Sequence, residues 1–168
     1  ILKIMSKLKT FSDQELEIRN EGLKKIKFIM DEMSIDFFLM MGVLLGAIRE
    51  KNFIKWDWDV ELGVFTENII NQEKEINRKF KEAQFSIDFV DLSYEGYKIN
   101  LFFQGNKFTL WGLHKKNGYV LRKSFKFPEK YFYKFDELLF LGEKYKIPSN
   151  VEELLQHIYG DWKTPIQS

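Results

Sequence analysis

Apolar and polar residues recur along the chain with two different periods. Apolar residues at helical spacing predict a first helix over residues 13–33, with Ser12 as its N-cap and Glu15 completing a capping box. A short apolar run over 35–41 predicts a buried strand, and residues 43–49 predict a short helix or turn. The chain therefore begins with a helix that leads into a strand.

The middle of the chain favours strands. Acidic and apolar residues alternate over 58–65, which predicts a strand, and the polar stretch 66–83 predicts a helix capped by Thr66. Four further strand-like runs cover 85–92, 97–103, 107–112 and 119–127. Residues 137–147 predict a hairpin that turns at Gly142-Glu143.

A last helix is predicted near the end of the chain. Ser149 or Asn150 caps it, and it runs through Ile158 and is stopped by Gly160. No internal repeat or linker interrupts the pattern, so the sequence predicts one α+β domain over residues 1–168. Because the chain starts at Ile1 rather than Met, we expect it to be a segment of a larger protein.

Composition narrows the chemistry. The chain has no cysteine and only two histidines, which excludes disulfides and thiolate metal sites and leaves oxygen ligands for any catalytic metal, as Mg²⁺ or Mn²⁺ prefers. The formal net charge is +1, so no strong overall attraction to nucleic acid is expected. No apolar run is long enough to span a membrane. We expect a cytoplasmic protein, with membrane association only through parts outside this chain.

Three carboxylates form the most informative pattern. Asp57, Asp59 and Glu61 lie two residues apart, so on an extended strand they project from one face and repel one another. A divalent cation relieves this repulsion because carboxylate oxygens are its natural ligands. The alternative is an edge strand whose acidic face is solvated. The carboxylates alone leave both interpretations open, a catalytic metal site formed by these three residues and a solvated edge strand.

The segment before the carboxylates favours the metal site. An apolar run reaches Gly42, a short helix follows, and Arg49 precedes the acidic strand. A helix N-terminus offers N–H groups to a phosphate, and arginine can bind phosphate with two hydrogen bonds. Gly42 and Arg49 are therefore predicted to bind substrate phosphates beside the metal.

Other candidates are less specific. His114 is predicted to act as a general base or phosphate contact, or to be an ordinary residue of a surface turn. The basic run over 115–126 is expected to be a solvated hairpin face, with the rim of a site for an anionic donor or acceptor and a nucleic-acid site as alternatives. Trp56 and Trp58 could stack on a base or belong to the core. Asp161 is expected to be a structural turn residue, with a place in the pocket as the alternative.

Three segments together resemble a known family. They read GVLLGAIR over residues 42–49, FIKWDWDVE over 53–61 and YGDW over 159–162, with Thr164-Pro165 following. These segments are similar to the LicD/fukutin-related signature, in which G-T-L-L-G-x-x-R precedes W-D-x-D-x-D and a Y-G-D-x-x-x-P element closes the domain. The resemblance covers about residues 15–165.

The resemblance implies a fold and an activity. It implies a mixed sheet with flanking helices of the nucleotidyltransferase type, and Mg²⁺-dependent transfer of a phospho-alcohol such as phosphocholine, ribitol phosphate or glycerol phosphate. The donor would be a CDP-linked alcohol and the acceptor a glycan. By matching position, Asp59 and Glu61 would be paired metal ligands and Asp57 a third acid. Gly42 and Arg49 would bind the donor phosphates.

Two positions depart from the family pattern. Glu61 stands where aspartate is usual, and Asn100 stands where the family places another acid on a later strand. Asparagine cannot act as a base. Either Asp88 or Asp91 substitutes, or the acceptor is activated differently, or activity is weak. Asn100 is kept as a candidate substrate-binding residue.

Two other functions remain open at this point. One is a nucleotidyltransferase that moves a nucleoside monophosphate, because the metal site is common to both reactions. The other is a donor-binding domain of a larger glycan-synthesis protein with little or no activity, which Asn100 favours.

Overall fold

The computed structural model describes residues 10–166, and that part of the chain contains five α-helices, nine strands and one 3₁₀ turn. The helices are α1 (Asp13–Glu32), α2 (Met41–Arg49), α3 (Thr66–Ile69), α4 (Glu73–Glu82) and α5 (Val151–Tyr159). The strands are β1 (Phe38–Leu39), β2 (Asp59–Phe65), β3 (Ser86–Asp91), β4 (Lys98–Phe103), β5 (Asn106–Lys116), β6 (Tyr119–Arg122), β7 (Phe125–Pro128), β8 (Phe135–Phe140) and β9 (Glu143–Pro148). The 3₁₀ turn is Glu129–Phe132. None of the helices within residues 10–166 has the length and apolarity needed to cross a membrane.

One mixed sheet forms the centre of the fold. Its strand order is β3-β4-β5-β2-β1-β9-β8, and β6 and β7 extend from the end of β5. The β2–β5 and β1–β9 pairs are parallel, and the other pairs are antiparallel. The prediction of an α+β domain with a mixed sheet and flanking helices is confirmed.

Helix α1 covers one face of this sheet. The predicted capping box is present, because Ser12 Oγ accepts from the N–H of Glu15 and the Ser12 N–H donates to Glu15 Oε1, both at 3.2 Å. Gly22 lies so close to the Phe108 ring that a β-carbon there would clash with it. This close approach brings α1 onto the face formed by the side chains of Val60 and Leu62.

An aromatic cluster covers part of the opposite face. The Phe38 ring lies 4.7 Å from Phe135, 5.7 Å from Phe132 and 5.8 Å from Phe65, between ring centroids. Gly63 on β2 leaves room for the Phe38 ring, which a β-carbon would meet. Because alternate residues of β2 share a face, the cluster lies beyond Glu61 and leaves the start of the strand uncovered by these rings.

Two predicted elements are interrupted by residues with left-handed backbone. The strand predicted over 35–41 is reduced to Phe38–Leu39, because α2 begins at Met41, whose φ is 50°. The helix predicted over 66–83 is divided into α3 and α4, with Asn71 at φ 72° between them. Thr66 is the first residue of α3 rather than its N-cap, and no side chain caps that helix.

In the second half of the chain, the structure differs from the prediction in the position of the turns. Strand β5 is longer than the predicted run, and the run 119–127 is divided into β6 and β7 near Lys123, whose φ is 50°. The β8–β9 hairpin turns one residue earlier than predicted, at Leu141-Gly142, where φ is 48° and 90°. Positive φ at both central residues is typical of the tight turns that join antiparallel strands.

Candidate active site

Two of the predicted carboxylates lie at the start of β2. Asp59 and Glu61 share one face of the strand, and Val60 between them is buried on the α1 side. On the neighbouring strand β5, Asp59 is opposite Lys107 and Glu61 is opposite Thr109. The prediction that these two acids share a strand face is confirmed.

Asp57 reaches the same place by a different route. It precedes β2 and lies in a turn closed by a hydrogen bond of 3.1 Å from its N–H to the carbonyl oxygen of Ile54. The prediction that all three acids lie on one extended strand is therefore wrong for Asp57. Its carboxylate contacts Gly42 instead, so closely that any β-carbon at Gly42 would collide with Asp57 Oδ2.

The three acids line a single cleft of about 370 Å³. The residues lining it come from α2, the turn before β2, the start of β2, the last residue of α5 and the segment after α5: Met41, Gly42, Leu45, Arg49, Ile54, Trp56, Asp57, Asp59, Glu61, Tyr159, Asp161, Trp162, Thr164 and Ile166. No side chain caps the N-terminal end of α2, where Gly42 lies. The structure therefore brings together five predicted site residues, including Gly42 and Arg49.

Arg49 links α2 to the segment after α5. Its Nη1 donates to the carbonyl oxygen of Trp162 at 2.9 Å, and its Nη2 lies 3.1 Å from Glu50 Oε1. Its Nε is buried and has no hydrogen-bond partner. Arg49 thus holds the wall of the cleft through Nη1, pairs with its neighbour Glu50 through Nη2, and has no partner for Nε.

The acids are poorly compensated. Burial, followed by repulsion from Asp59 and Asp57, raises the pKa of Glu61 to about 7. Burial and the nearby Asp59 charge also raise the pKa of Asp57, despite the opposing effect of Arg19. One oxygen of Glu61, Oε2, is buried without a hydrogen-bond partner. Arg19 and Arg49 favour the charge of Asp57, and Lys98 and Arg122 favour that of Glu61, but burial outweighs these effects, so the acidic charge is only partly compensated.

Tyr159 is a cleft residue that was not predicted individually. Burial, together with the Glu61 and Asp57 charges, raises the pKa of its phenol, which keeps the hydroxyl protonated near neutral pH. Its only sequence signal was its place in the closing YGDW segment. Asp161, expected to be a turn residue, lines the cleft and accepts a hydrogen bond of 3.0 Å from Thr164 Oγ1.

Asn100 lies on the acidic face of the sheet but does not line the cleft. The strand register places Glu61, Thr109, Asn100 and Asp88 in one row across four strands. Asn100 Oδ1 accepts a hydrogen bond of 3.0 Å from Thr109 Oγ1. Asp88 is three strands away from Glu61, a backbone distance of about 14 Å. Asp91 instead accepts from the N–H of Ser93 at 2.9 Å.

His114 lies outside the acidic cleft. It is buried on β5, its ring is 5.4 Å from the Tyr94 ring, and it lines a separate pocket of about 330 Å³. It is not the surface turn residue of the alternative interpretation. The structure does not bring His114 together with the carboxylates.

The cleft residues fit a divalent cation with an incomplete set of protein ligands. Within residues 10–166, no three His, Cys, Asp or Glu side chains are already gathered closely enough to hold a metal ion. Mg²⁺ usually takes one or two carboxylates and completes its shell with water and substrate phosphate oxygens. Glu61 Oε2 has no hydrogen-bond partner, and repulsion among the acids contributes to the raised pKa values of Glu61 and Asp57, so a bound cation would relieve that repulsion.

Comparison with known proteins agrees with this architecture. The structure is similar to that of the antibiotic-resistance factor ANT(2'')-Ia, with a TM-score of 0.54 and 12% identity over 86% of this chain and 75% of that one. It is also similar to a protein of Thermotoga maritima assigned as a nucleotidyltransferase, with a TM-score of 0.50 and 19% identity over 84% of each chain. At these identities the likeness shows the fold alone.

Sequence comparison identifies the family. The mouse ribitol 5-phosphate transferase FKRP is 26% identical over 159 residues, which cover 86% of this chain and 32% of that protein. The chain thus spans about a third of the length of the curated relatives it matches first. The family model described as "LicD/FKTN/FKRP, nucleotidyltransferase domain" matches residues 34–150. The chain therefore belongs to the LicD/FKTN/FKRP family of nucleotidyltransferase domains.

Proposed function

We propose that this domain transfers a phospho-alcohol from a CDP-linked donor to a glycan hydroxyl, with Mg²⁺ or Mn²⁺ as cofactor. The observation that carries the proposal is the meeting of Asp57, Asp59 and Glu61 in one cleft that also contains Arg49 and the uncapped end of α2. Acidic metal ligands beside phosphate-binding groups recur in the active sites of phosphoryl-transfer enzymes. Family membership supports the same class of reaction.

Asp59 and Glu61 would hold the cation, with Asp57 completing the acidic set. Once bound, the cation would neutralise the donor pyrophosphate and the charge that develops on the departing CMP. Glu61 Oε2 is buried without a hydrogen-bond partner, and in this proposal the cation would become its partner. The longer glutamate side chain at this position reaches further than the aspartate usual in the family.

The donor would lie against α2 and the segment after α5. Gly42 allows close approach because it has no side chain, and the first N–H groups of α2 favour a phosphate. Arg49 would add its uncommitted Nε and its charge. Trp56, which lines the cleft, offers a surface on which a cytosine ring could stack.

The reaction forms one phosphorus–oxygen bond and breaks another. The acceptor hydroxyl oxygen attacks the phosphorus that carries the alcohol, the bond to CMP breaks, and the hydroxyl proton is released. Asn100 cannot accept this proton, and Asp88 is three strands from Glu61. Asn100 therefore favours a second candidate function, a domain that binds the CDP-linked donor with little or no turnover.

The experiment that tests the proposal is ³¹P NMR of the domain with Mg²⁺, a panel of CDP-alcohols and candidate glycans. CDP-ribitol comes first in the panel, because the relatives found are named ribitol 5-phosphate transferases. CMP should appear with one donor, should require the metal and the glycan, and should be lost in Asp59→Ala. Asp88→Ala is the control, since it removes an exposed acid of the same sheet outside the cleft.

The same spectra distinguish the alternatives. Transfer of a nucleoside monophosphate would release the alcohol phosphate instead of CMP. Donor binding by thermal shift with no product from any acceptor would support the binding domain. Unchanged CMP release by Asp59→Ala would contradict the metal role of that residue.

A further inference from the structure

Arg19 is a charged residue in the apolar stripe of α1. Leu16 and Leu23, one turn away on either side, are buried core residues, and Arg19 itself is completely buried. Arginine is rarely fully buried without partners, because removing its charge from water is costly. The contacts of the Arg19 guanidinium therefore indicate the role of this buried charge.

Two of its nitrogens bind the structure around the acidic cleft. Nη1 donates to the carbonyl oxygen of Asp57 at 2.8 Å, and Nε donates to Asn106 Oδ1 at 2.9 Å. The guanidinium carbon also lies 4.3 Å from the centre of the Phe11 ring. Within residues 10–166 Arg19 forms no salt bridge with a carboxylate, and its Nη2 has no hydrogen-bond partner.

These two hydrogen bonds connect the N-terminal ends of two neighbouring strands, β2 and β5. Asp57 lies just before β2, and Asn106 is the first residue of β5, which runs parallel to β2. One residue further along β5, Lys107 is opposite Asp59. A single planar guanidinium thus connects the turn that carries Asp57 to the strand that lies beside Asp59.

The charge of Arg19 also acts on the acids. Burial lowers the pKa of Arg19 to about 10, so the guanidinium stays charged at neutral pH, and Asp57 and Asp59 favour that charge. Arg19 lies on the α1 side of the sheet, whereas Asp59 and Glu61 project from the opposite face. The arginine therefore favours the charges of Asp57 and Asp59 without occupying the cleft.

We infer that Arg19 is a positioning residue that holds the Asp57 turn and the start of β2 where Asp57 and Asp59 can share a divalent cation. The inference rests on the metal site of the proposed function. Arg19 does not line the cleft, so it acts through the backbone of Asp57 and through its charge rather than on substrate. Residues that orient metal ligands in this way typically change metal affinity or activity by about 10- to 100-fold when replaced.

The test measures Mn²⁺ binding to the domain by electron paramagnetic resonance, without substrate. Arg19→Met removes the charge and both hydrogen bonds at similar length. Arg19→Lys keeps the charge but cannot make both hydrogen bonds in the same geometry. Leu23→Ala is the matched control, because it removes core packing one turn away on the same face of α1. Thermal melting of each variant reports the cost to the fold.

We expect Arg19→Met to weaken Mn²⁺ binding by about 10- to 100-fold and Arg19→Lys by at least about threefold. Leu23→Ala should lower the melting temperature and leave Mn²⁺ affinity within about twofold. Mn²⁺ affinity unchanged in a folded Arg19→Met or Arg19→Lys domain would overturn the inference. If Arg19→Met does not fold, Arg19→Lys decides it. Failure of the parent domain to bind Mn²⁺ would overturn the metal site and this inference together.

Discussion

Two pockets of similar size treat their carboxylates in opposite ways. The acidic cleft measures about 370 Å³ and the pocket beside His114 about 330 Å³. In the His114 pocket, hydrogen bonds from Ser93 and the nearby Lys123 lower the pKa of Asp91. In the cleft, burial and repulsion raise the pKa values of Asp57 and Glu61. In the His114 pocket, neighbouring residues therefore favour the charge of Asp91. In the acidic cleft, the surroundings disfavour the charges of Asp57 and Glu61. The His114 pocket is called the balanced pocket below.

The difference indicates where chemistry is to be expected. An acid whose charge is already neutralised contributes to the fold, whereas buried acids without compensation cost stability and are typical of binding and catalytic sites. The two pockets are otherwise closely matched. Each has a glycine in contact with its aspartate, Gly42 with Asp57 and Gly96 with Asp91. Paired substitutions can therefore test the comparison directly.

The largest effect is expected from Gly42→Ala. The new methyl group would occupy the space of the Asp57 carboxylate and displace it, and a displacement of about 1 Å at a catalytic group can cost on the order of 10²-fold in rate. The free energy of unfolding should change little. The clash with Asp57 destabilises the fold, but alanine favours a helix over glycine by about 1 kcal/mol, which offsets part of that cost. CMP release in the ³¹P assay and thermal melting measure the two effects.

Gly96→Ala is the matched control for that prediction. Its methyl group would displace the Asp91 carboxylate in the same way, but in the balanced pocket. We expect turnover within about twofold of the parent domain and some loss of stability. Equal losses of turnover in both variants would contradict the assignment of the acidic cleft as the active site.

Gly42 also shows what the sequence could predict. The spacing of Asp57, Asp59 and Glu61 and the glycine before the short helix indicated one site, and the structure places all four residues in one cleft. The predicted reason was wrong for Asp57, because two-residue spacing implies a shared strand face only where the chain is extended. The turn at Ile54–Asp57 depends on contacts from α1, far away in sequence, which periodicity does not reveal.

Contacts between distant segments account for the other differences. Arg19 and Asn106 are 87 positions apart, and neither belongs to a local motif, so their hydrogen bond could not be predicted from spacing. The position of Asn100 depends on the sheet order, in which β5 lies between β4 and β2. The neighbours of His114 in sequence indicate a turn, whereas its burial follows from the long β5 strand and the β6 hairpin.

The second prediction concerns pH and the stability of the metal-free domain. Glu61 has an ordinary pKa of 4.5 in the unfolded chain and about 7 in the folded one. Between these values the folded state binds more protons, so its stability falls as pH rises from about 4.5 through 7 and then levels off. The loss should be about 2 kcal/mol after allowance for solvent screening. Urea unfolding at pH 5 and pH 8 measures it.

Glu61→Gln should remove most of this pH dependence, and Mg²⁺ should restore stability to the parent domain at pH 8. Asp91→Asn is the control. The pKa of Asp91 is lowered from 3.8, so its contribution to stability is lost only as pH falls below that value. Asp91→Asn should therefore leave the change in stability between pH 5 and pH 8 as it is in the parent domain. A parent domain that gains stability between pH 5 and pH 8 would contradict the partly compensated state of the cleft.

The third prediction compares two arginines that each donate to a backbone carbonyl. Arg49 donates to Trp162 in the cleft wall, and Arg122 donates to Gly96 at 3.4 Å beside the other pocket. Arg49→Lys should raise the donor KM about tenfold, because a charge-assisted hydrogen bond contributes about 1.5–3 kcal/mol. Arg122→Lys keeps the positive charge that acts on Glu61, so it should lower the melting temperature and leave the donor KM unchanged. Similar KM values in both variants would remove Arg49 from donor binding.

The smallest effect is expected from His114→Gln. The imidazole Nδ1 is buried without a hydrogen-bond partner, and the ring packs against Tyr94, so glutamine should cost a modest amount of packing. It should leave turnover and the donor KM within about twofold, since His114 lies outside the acidic cleft. Steady-state kinetics over a range of glycan concentrations provides the check. A rise in the glycan KM alone would show that the balanced pocket binds the acceptor, and the contrast between the two pockets would then separate donor from acceptor rather than function from fold.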